Sequence, residues 1–587
     1  MNLREDEILG KPYDLRLMKR FMAYCRPYIK QIAASVLLLI VISMLQLSGP
    51  YLVKVAIDSY ILKGNRTGLN LIVTAYLIVL FFTFILEYMK DYIMQLSGQK
   101  IMFDIRADLF AHLQKMSLSF FNHNPTGRIV TRVVDDVETL NELFAEQIVE
   151  TVSDMLTLIS IVIVLLLLDW RLASLTFIVI IPLLYATRLY RDRARKAYRN
   201  MRANLARLNS YMQENIVGMG TVQVFNRSEE NFKRFDTINK TNWHQQLKSL
   251  TYYAIYFPVI EIFLAVAIGI IIWYGGGEAI KGAVQLGVLV AFIQYVQRFF
   301  QPIKDLSQKY NVLQSAMASS ERIFNLMDTP EDIPNPPDPV VLEEVKGEIE
   351  FRDVWFSYNS EDPVLKGINF HLKPGESVAI VGATGAGKTS IINLIGRFYD
   401  IQKGRILIDG IDIRSMDKFY LRKQIGMVLQ DAFLFAGDIE DNIRLRESRI
   451  PLEKVYEAAR YVNADIFIEK LPKGYNEDVQ ERGSTLSLGQ KQLISFARAL
   501  VFNPKILILD EATSSVDTET ELLIRDALGK LIKGRTSIII AHRLSTVRYV
   551  DKIIVIDKGE IAEMGSHDEL LRQKGIYHDL HQLQVGK

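Results

Sequence analysis

Six long apolar runs dominate the first half of the chain, and they lie near residues 31–53, 69–90, 147–168, 171–190, 253–274 and 284–304. Because a helix rises about 1.5 Å per residue, about 20 residues cross the roughly 30 Å hydrocarbon layer of a bilayer. Each run therefore predicts a membrane-spanning helix. The sixth prediction is the weakest, since Gln294, Gln297 and Arg298 interrupt the run. On its own it would also suit the core helix of a soluble protein.

The segment before the first run predicts a helix on the membrane surface. Residues 1–10 are polar and include several acids, which is unlike a secretory signal, so we expect the N-terminus to be retained. From Pro12 to Lys30 apolar and basic residues are interspersed, a pattern typical of an amphipathic helix that lies along a membrane. An ordinary soluble helix is the alternative interpretation.

Basic residues predict the orientation of the spans. They are concentrated in the segment before the first run and in residues 191–199 after the fourth. Because loops rich in Lys and Arg stay in the cytoplasm, we expect both termini to be cytoplasmic. The predicted location is a plasma membrane, which in a bacterium is the inner membrane.

Two long connections, residues 91–146 and 191–252, then lie in the cytoplasm. Both are rich in helix formers, so we expect each to extend its flanking spans as a pair of helices. The helical pattern breaks at residues 122–127 and 218–220, which places the two tips there. We expect these tips to contact a cytoplasmic domain, and solvated turns are the alternative.

The second half of the chain predicts a separate α/β domain. The proline-dense stretch 329–339 cannot form a helix or a central strand and therefore predicts a linker. From residue 345 onward, apolar runs typical of strands alternate with helical patterns. The strand-like runs lie at 347–356, 377–381, 406–408, 425–429, 506–509, 537–540 and 552–556. The expected domains are a surface helix in 1–30, an all-α transmembrane domain in 31–328, a linker in 329–344 and the α/β domain in 345–587.

Composition adds three restrictions. With 587 residues the chain is too long for a single hydrophobic core. Its net charge of +2 at pH 7 gives no indication of a nucleic-acid-binding surface. A lone cysteine, Cys25, excludes both an intramolecular disulfide and a cysteine-based metal cluster.

The stretch Ser377–Tyr399 predicts a phosphate-binding loop between a strand and a helix. Gly382, Gly387, Lys388 and Thr389 match the spacing G-x-x-x-x-G-K-[ST]. The glycines leave room for backbone N–H groups to surround an anion at the helix N-terminus. The Lys388 ammonium suits the β- and γ-phosphates, and the Thr389 hydroxyl suits Mg²⁺.

Three further strands end in polar side chains. The run 506–509 leads into Asp510 and Glu511, which suit a Mg²⁺–nucleotide site. Asp510 would belong to the metal shell, and Glu511 would polarise the attacking water; a solvated acidic loop is the alternative. Gln430 and His542 follow two other strands, and either residue alone would more often be a structural hydrogen-bond partner.

Together with Leu486–Gln490, which precedes a helical pattern, these motifs resemble those of the ATP-binding cassette (ABC) transporters. The likeness is to exporter half-transporters, in which six spans are followed by one nucleotide-binding domain, and it covers nearly the whole chain. It implies ATP and Mg²⁺ as cofactors. It also implies a second half-transporter subunit and a lipid bilayer as partners, with no nucleic acid.

The resemblance assigns roles residue by residue. It implies that Tyr358 stacks on adenine, where a core position is the alternative, and that ATP also contacts Gly382, Ala383, Thr384, Gly385, Ala386, Gly387, Lys388, Thr389 and Ser390. The implied catalytic residues are Glu511, His542 and Gln430. Mg²⁺ would be held by Thr389, Gln430 and Asp510. The signature residues that would reach the ATP of the opposite subunit are Ser487, Gly489 and Gln490.

Two positions depart from the family pattern. Leu488 stands where exporters have the first glycine of L-S-G-G-Q, and Gln480 in VQERG stands where they have the glycine of V-G-E-x-G. Leu488 weakens the signature offered to a partner's ATP, whereas the residues implied for this chain's own hydrolytic site are present. That combination resembles one half of a heterodimeric exporter, whose partner would have L-S-G-G-Q and a substituted catalytic glutamate. A homodimer that tolerates leucine at both sites is the alternative.

The resemblance implies ATP-driven export of a hydrophobic or amphipathic compound, a drug or a lipid. The exporter would be a dimer whose substrate cavity opens alternately to the two sides of the membrane. An ATP-gated channel or regulator, and an importer built on the exporter fold, are the alternatives. Glu511 and His542 favour hydrolysis over regulation.

Glu261 lies inside the fifth predicted span. An unpaired carboxylate at that depth costs at least about 2.5 kcal/mol, so we expect it to face the bundle interior or a wet cavity. It is a candidate for recognising cationic substrates. A hydrogen bond to a neighbouring helix is the alternative.

Overall fold

The computed structural model describes residues 14–359, 362–510, 518–541, 547 and 550–585. The chain forms two compact units. The first comprises Met1–Gln114 and Pro125–Thr329, and the second comprises Lys115–Asn124 and Pro330–Lys587. A short segment from the N-terminal half of the sequence is therefore part of the second unit.

The N-terminal half is helical. In chain order its helices are α1 (Leu15–Cys25), α2 (Ile29–Val55), α3 (Arg66–Leu113), α4 (Leu118–His123), α5 (Thr126–Thr131), α6 (Val137–Asn141), α7 (Val149–Leu168), α8 (Trp170–Phe177), α9 (Ile180–Val217), α10 (Met219–Val224), α11 (Ser228–Ile270), α12 (Gly276–Ile280) and α13 (Leu286–Asp328). Helix α4 belongs to the second unit and the others to the first. Helix α3 alone has 48 residues, a length of about 70 Å, so it extends well beyond one bilayer thickness.

Five helical stretches in the described part of the chain are long and apolar enough to cross a membrane, namely Leu15–Ile61, Arg66–Leu113, Thr126–Leu168, Trp170–Tyr190 and Ser228–Ile280. They contain the first five predicted spans. The sixth prediction falls in α13, which is helical throughout but, over its described residues, does not reach the same apolarity. Its polar residues Gln294, Gln297 and Arg298 account for this difference.

Apolar side chains cover the outside of these helices. Leu71 is 70 % exposed, Phe84 69 % and Leu167 81 %. Water-soluble proteins rarely expose contiguous apolar surface on this scale. Lipid tails are the environment that such helix surfaces suit, as expected for a multi-pass membrane protein.

Helix α2 contains a proline, Pro50, whose missing N–H leaves the Gln46 carbonyl without its helical donor. The Arg298 Nη1 of α13 donates to that carbonyl at 2.6 Å, and the Tyr295 hydroxyl donates to the Leu47 carbonyl at 2.5 Å. In hydrocarbon an unsatisfied carbonyl is costly, so these bonds hold α13 against α2 at the proline.

Helix α1 is amphipathic and packs within the first unit. Asp14 caps it, and Phe21 is buried. The Tyr24 hydroxyl donates to Asp108 on α3 at 2.9 Å, and Arg20 forms an ion pair with Asp328 at the end of α13. These contacts tie α1 to both long helices. Its location on a membrane surface stays a prediction.

The second unit contains ten named strands, namely β1 (Ile349–Phe356), β2 (Leu365–Leu372), β3 (Ser377–Gly382), β4 (Lys403–Ile408), β5 (Ile411–Asp412), β6 (Ile425–Val428), β7 (Ile506–Asp510), β8 (Thr536–Ile540), β9 (Lys552–Asp557) and β10 (Glu560–Gly565). Its remaining helices are α14 (Lys388–Ile395), α15 (Lys418–Lys423), α16 (Ile439–Arg444), α17 (Leu452–Tyr461), α18 (Asp465–Ile468), α19 (Leu488–Val501), α20 (Thr518–Ile532), α21 (His567–Gln573) and α22 (Ile576–Val585).

The strands form two sheets. One has the order β10-β9-β3-β8-β7-β6, in which β9, β3, β8, β7 and β6 are parallel and β10 pairs antiparallel with β9. The other is antiparallel, with the order β2-β1-β4-β5. Apolar side chains of both sheets and of α14 share one buried core. The carboxyl ends of β3, β8, β7 and β6 consequently meet along one edge.

The sequence pattern missed three strands. β5 has only two residues, and β10 is an edge strand in which half-exposed and exposed side chains alternate, so neither has a continuous apolar run. β2 has exposed Asn369 and His371 between buried positions. Such half-buried strands give a weaker sequence signal than fully buried parallel ones.

The segment predicted as a linker is irregular, as its prolines require, but it is attached to the second unit. Glu331 forms an ion pair with Lys418, and Ile333 is buried. The Asn335 amide donates to Asp417 at 2.7 Å. Ser117, just before α4, donates to Asp332 at 2.6 Å. These contacts hold the proline-dense stretch against the rest of the second unit.

Candidate functional site

The phosphate loop connects β3 to α14 and is shaped around its lysine. Lys388 is the first residue of α14 and is buried. Its ammonium donates to the carbonyls of Gly382 and Ala383 at 2.8 and 2.9 Å. The lysine therefore holds the loop closed over its own backbone, with its charge beside the helix N-terminus, where an anion is favoured.

Two of the loop's glycines have no room for a side chain. A Cβ on Gly382 would lie 2.2 Å from the Ile556 carbonyl oxygen, and one on Gly387 would lie 2.7 Å from Leu365. Gly387 also has φ +105°, a conformation that L-residues rarely adopt. These positions explain why the motif spacing requires glycine here.

Asp510 lies on the same edge as Lys388. It is the last residue of β7, is 7 % exposed, and is separated from the loop by the intervening strand β8. Burial lowers the pKa of the Lys388 ammonium, and the Asp510 carboxylate opposes that shift. This edge of the sheet thus brings together two buried side chains of opposite charge, the Asp510 carboxylate and the Lys388 ammonium.

Gln430 lies beyond β6, beside β7, and its side chain is exposed. The sheet order therefore brings it to the edge that contains Asp510. Glu511 follows Asp510 directly, and His542 follows β8 after Ala541, but both lie outside the described residues.

Tyr358 lies two residues beyond β1 and is 43 % exposed, so the core alternative is wrong. Its hydroxyl is 3.0 Å from the Ser390 hydroxyl, in the first turn of α14. The ring is thereby placed beside the phosphate loop with one part open to solvent.

The signature residues form the N-terminus of α19. Ser487 caps the helix, since its hydroxyl accepts from the Gln490 N–H at 3.3 Å and the Gln490 side chain accepts from the Ser487 N–H at 2.9 Å. Gly489 is buried, and Leu488, the first helical residue, is 38 % exposed. The leucine side chain thus stands at a helix N-terminus suited to an anion.

Glu261 is exposed on α11, next to the buried Ile260. That it faces the bundle interior or a wet cavity stays a prediction.

The sequence analysis missed Arg498, which supports the segment after Gln430. From α19 its guanidinium donates to the carbonyls of Asn442 and Phe433, both at 2.9 Å. Burial lowers the pKa of Arg498 to about 10. An arginine within the apolar stretch SFARAL was the signal that could have identified it.

Gln480 stands at a strained backbone position, which explains why its family counterpart is glycine. Its φ is +50° and its ψ is −179°, a combination that is nearly restricted to glycine. Its side chain is exposed and accepts a hydrogen bond of 3.4 Å from the Ser484 hydroxyl.

We expect Gln480→Gly to stabilise the second unit by about 1 kcal/mol, because relief of the strain exceeds the entropy that glycine adds to the unfolded chain.

Chemical denaturation of the full-length chain measures this gain, followed by Trp355 fluorescence after Trp170, Trp243 and Trp273 are replaced by phenylalanine. Lys574→Gly is the matched control, since Lys574 has φ +52° but ψ +36°, inside the left-handed region that is open to other residues. It should gain less than Gln480→Gly. Equal gains for the two variants would contradict the assignment of strain to Gln480.

Two protein-family models match the chain. The model described as "ABC transporter transmembrane region" matches residues 32–303, and the model described as "ABC transporter" matches residues 365–514. The second match contains the phosphate loop, Gln430, the signature and Asp510.

Relatives and a solved structure extend the likeness over nearly the whole chain. The chain is 40 % identical to YheH of Bacillus subtilis, named as a probable multidrug resistance ABC transporter ATP-binding/permease protein, over 89 % of this chain and 77 % of the relative. It is 38 % identical to an ATP-dependent lipid A-core flippase of Syntrophus aciditrophicus, over 97 % and 94 %. The structure of a bacterial Atm1-family ABC exporter with ATP bound matches with a TM-score of 0.78 and 28 % identity, over 95 % of this chain and 98 % of that one. Nothing in these comparisons favours a regulator or an importer.

Proposed function

The chain belongs to the ABC transporter family and couples ATP hydrolysis to export, and we propose that its substrate is a hydrophobic or amphipathic compound, a drug or a lipid. The observation that supports this class is the likeness, along most of the chain, to one relative named for multidrug resistance and another named for lipid flipping. As a half-transporter, the chain requires a second subunit and a membrane. A bacterial inner membrane with both termini in the cytoplasm is part of the proposal.

The ATP site is proposed at the edge formed by β3, β7 and β6. The phosphate loop, Gly382 to Ser390, would bind the phosphates, and Tyr358 would stack on adenine. Thr389, Gln430 and Asp510 supply hydroxyl, amide and carboxylate oxygens, the hard ligands that suit Mg²⁺. When bound, Mg²⁺ would offset the charge of the β- and γ-phosphates.

We propose catalytic roles for Gln430, at that edge, and for two residues outside the described part of the chain, Glu511 and His542. Glu511 would orient and polarise the attacking water, and His542 and Gln430 would contact the γ-phosphate region. A second half-site would use the signature of this chain, because Ser487, Gly489 and Gln490, at the N-terminus of α19, would reach an ATP bound by the partner. Such an N-terminus offers backbone N–H groups to a phosphate.

The intact ATP site and the altered signature support a heterodimer. Leu488 occupies the first turn of α19, where its bulk would lie between the helix N-terminus and a partner's γ-phosphate. This chain would then be the half that keeps a consensus hydrolytic site with its partner's L-S-G-G-Q. A homodimer that tolerates Leu488 twice is the alternative.

Stimulated ATPase activity tests the substrate class. The chain is co-expressed with a partner half-transporter, reconstituted in nanodiscs and assayed with a panel of drugs, lipids and peptides. We expect drugs or lipids, but not peptides, to raise the ATPase rate.

Glu261→Gln should raise the half-stimulating concentration of cationic compounds about tenfold, because a charged hydrogen bond is lost. The half-stimulating concentration of neutral compounds should not change.

Glu278→Gln is the control for that variant, since Glu278 on α12 pairs with Lys281, the residue that follows the helix. It should not alter the response to cationic compounds. Stimulation by peptides alone would contradict the proposed substrate class. An unchanged response of Glu261→Gln to every cationic compound would leave Glu261 with the structural role only.

A further inference from the structure

Polar side chains form a stripe along the membrane-spanning part of α13, and the proposed function gives them no role. They are Gln294, Gln297, Arg298 and Gln301. Spacings of three, four and seven residues place them on one side of a helix. All are exposed except Gln294, which is half-buried, whereas Phe292 and Val296 on the opposite side are buried among the other spans. The stripe is therefore the side of α13 that faces away from the packed core.

Arg298 is held at one end of its guanidinium and free at the other. Its Nη1 donates at 2.6 Å to the Gln46 carbonyl, which Pro50 leaves without a helical donor. Its Nη2 lies along α2, where a Cβ on Gly49 would be 3.8 Å away. Among the residues that the structure describes, the guanidinium has no second hydrogen-bond partner and no ion pair. Most of its N–H donors are thus available to another group.

The anchor of Arg298 is itself fixed by an acid on a third helix. Glu87 of α3 accepts a hydrogen bond of 2.7 Å from Gln46 Nε2. The carboxylate thereby supports the residue whose carbonyl holds the arginine, and within the described residues it does not pair with the arginine directly. Because the Arg298 side chain is already ordered, a ligand that binds its free donors loses little entropy in positioning it.

This stripe does not suit lipid tails. A guanidinium inside a bilayer is costly unless it meets water or an opposite charge, and exposed amides need hydrogen-bond partners there. In its described residues α13 also lacks the apolarity of the five stretches that suit a lipid environment. The polar side of α13 therefore suits a water-filled cavity in which an anion can approach Arg298.

We propose that Arg298 binds an anionic group of the transported compound, so that the substrate is an amphipathic anion with a carboxylate or a phosphate. This inference rests on the proposed export function and specifies the charge of its substrate. A planar guanidinium matches the paired oxygens of either group. Gln297 and Gln301 offer further amide donors on the same side of the helix. The role proposed for Glu261 on α11 is separate, because it concerns cationic compounds.

Stimulated ATPase activity of the assembled dimer, in nanodiscs of zwitterionic phosphatidylcholine, tests this inference. The probes are two matched pairs, pyrenebutyrate with its methyl ester and dioctanoyl phosphatidate with dioctanoylglycerol. We expect the anionic member of a pair to stimulate at the lower concentration. Arg298→Gln should raise its half-stimulating concentration about tenfold, because a charge-assisted hydrogen bond is lost, and leave the neutral member unchanged. Preference for the phosphatidate alone would identify a lipid head group, and preference for pyrenebutyrate alone an organic acid.

Gln301→Glu is a second variant that keeps the bond from Arg298 to Gln46. Its carboxylate lies one turn from the guanidinium and should occupy the free donors. We expect the same tenfold rise, which decides the question even if Arg298→Gln fails to assemble. Arg171→Gln is the matched control, since it removes an exposed arginine that lies over Trp170 on α8. It should respond like the wild type.

Two classes of result would contradict these expectations. Equal stimulation by the anionic and neutral members, an unchanged response of Gln301→Glu, or an equal rise in Arg171→Gln would overturn the inference alone, provided that neutral or cationic compounds still stimulate the wild type. If no drug or lipid of any charge stimulates the wild type, the proposed export function fails as well.

Discussion

Replacement of Glu511 by glutamine is expected to lower ATP turnover by at least about 100-fold while ATP still binds. In the sequence Glu511 directly follows Asp510, which ends β7 in a buried position on the edge that contains Lys388. The amide keeps the shape of the carboxylate but loses the negative charge that polarises water. Turnover and ATP affinity are measured on the assembled dimer.

Glu519→Gln is the control for Glu511→Gln. Glu519 is an exposed acid in the first turn of α20, a few residues farther along the chain. It should keep wild-type turnover. Near-normal hydrolysis by Glu511→Gln would remove Glu511 from its proposed role, whereas loss of ATP affinity would indicate a binding role instead.

The chain purified alone is expected to show about 100-fold lower ATPase activity than the chain co-expressed with a half-transporter that has an L-S-G-G-Q signature. A homodimer presents Leu488 to both ATP molecules. The side chain, 38 % exposed on the first turn of α19, would keep N–H donors away from the γ-phosphate, and loss of one such donor costs roughly 100- to 1000-fold in rate. Size-exclusion chromatography and ATPase assays in nanodiscs compare the two preparations.

Leu488→Gly should raise the activity of the chain purified alone. Leu522→Gly is the matched control, since Leu522 is 59 % exposed on α20, outside the signature sequence; it should have no such effect. A stable dimer with robust ATPase activity from the unmodified chain would rule out the heterodimer proposal.

The order of elements and the chemistry of the motifs were determined by the sequence alone. Five of the six predicted spans lie in helices with the length and apolarity to cross a membrane, because exposure to lipid demands a long, continuous apolar run. The sequence also predicted the buried parallel strands β3, β7 and β8, and the predicted ends of each lie within about two residues of those in the structure. The glycine spacing predicted a phosphate loop because at Gly382 and Gly387 a Cβ would collide with neighbouring atoms.

Contacts between residues far apart in sequence were decided only by the tertiary structure. The pattern break at residues 122–127 predicted a tip that meets a cytoplasmic domain, and the partition of the chain places Lys115–Asn124 in the second unit. Asn122 donates to the Tyr399 hydroxyl, 277 residues away, and this partner could not have been predicted. The same holds for the bond from Arg298 to the carbonyl freed by Pro50, and for the buried support that Arg498 gives to the segment after Gln430. Periodicity and motif spacing predict which side of a helix or strand is buried and which loop binds phosphate. The partner of a hydrogen bond is decided only in the folded chain, because it depends on three-dimensional distance rather than on a local sequence pattern.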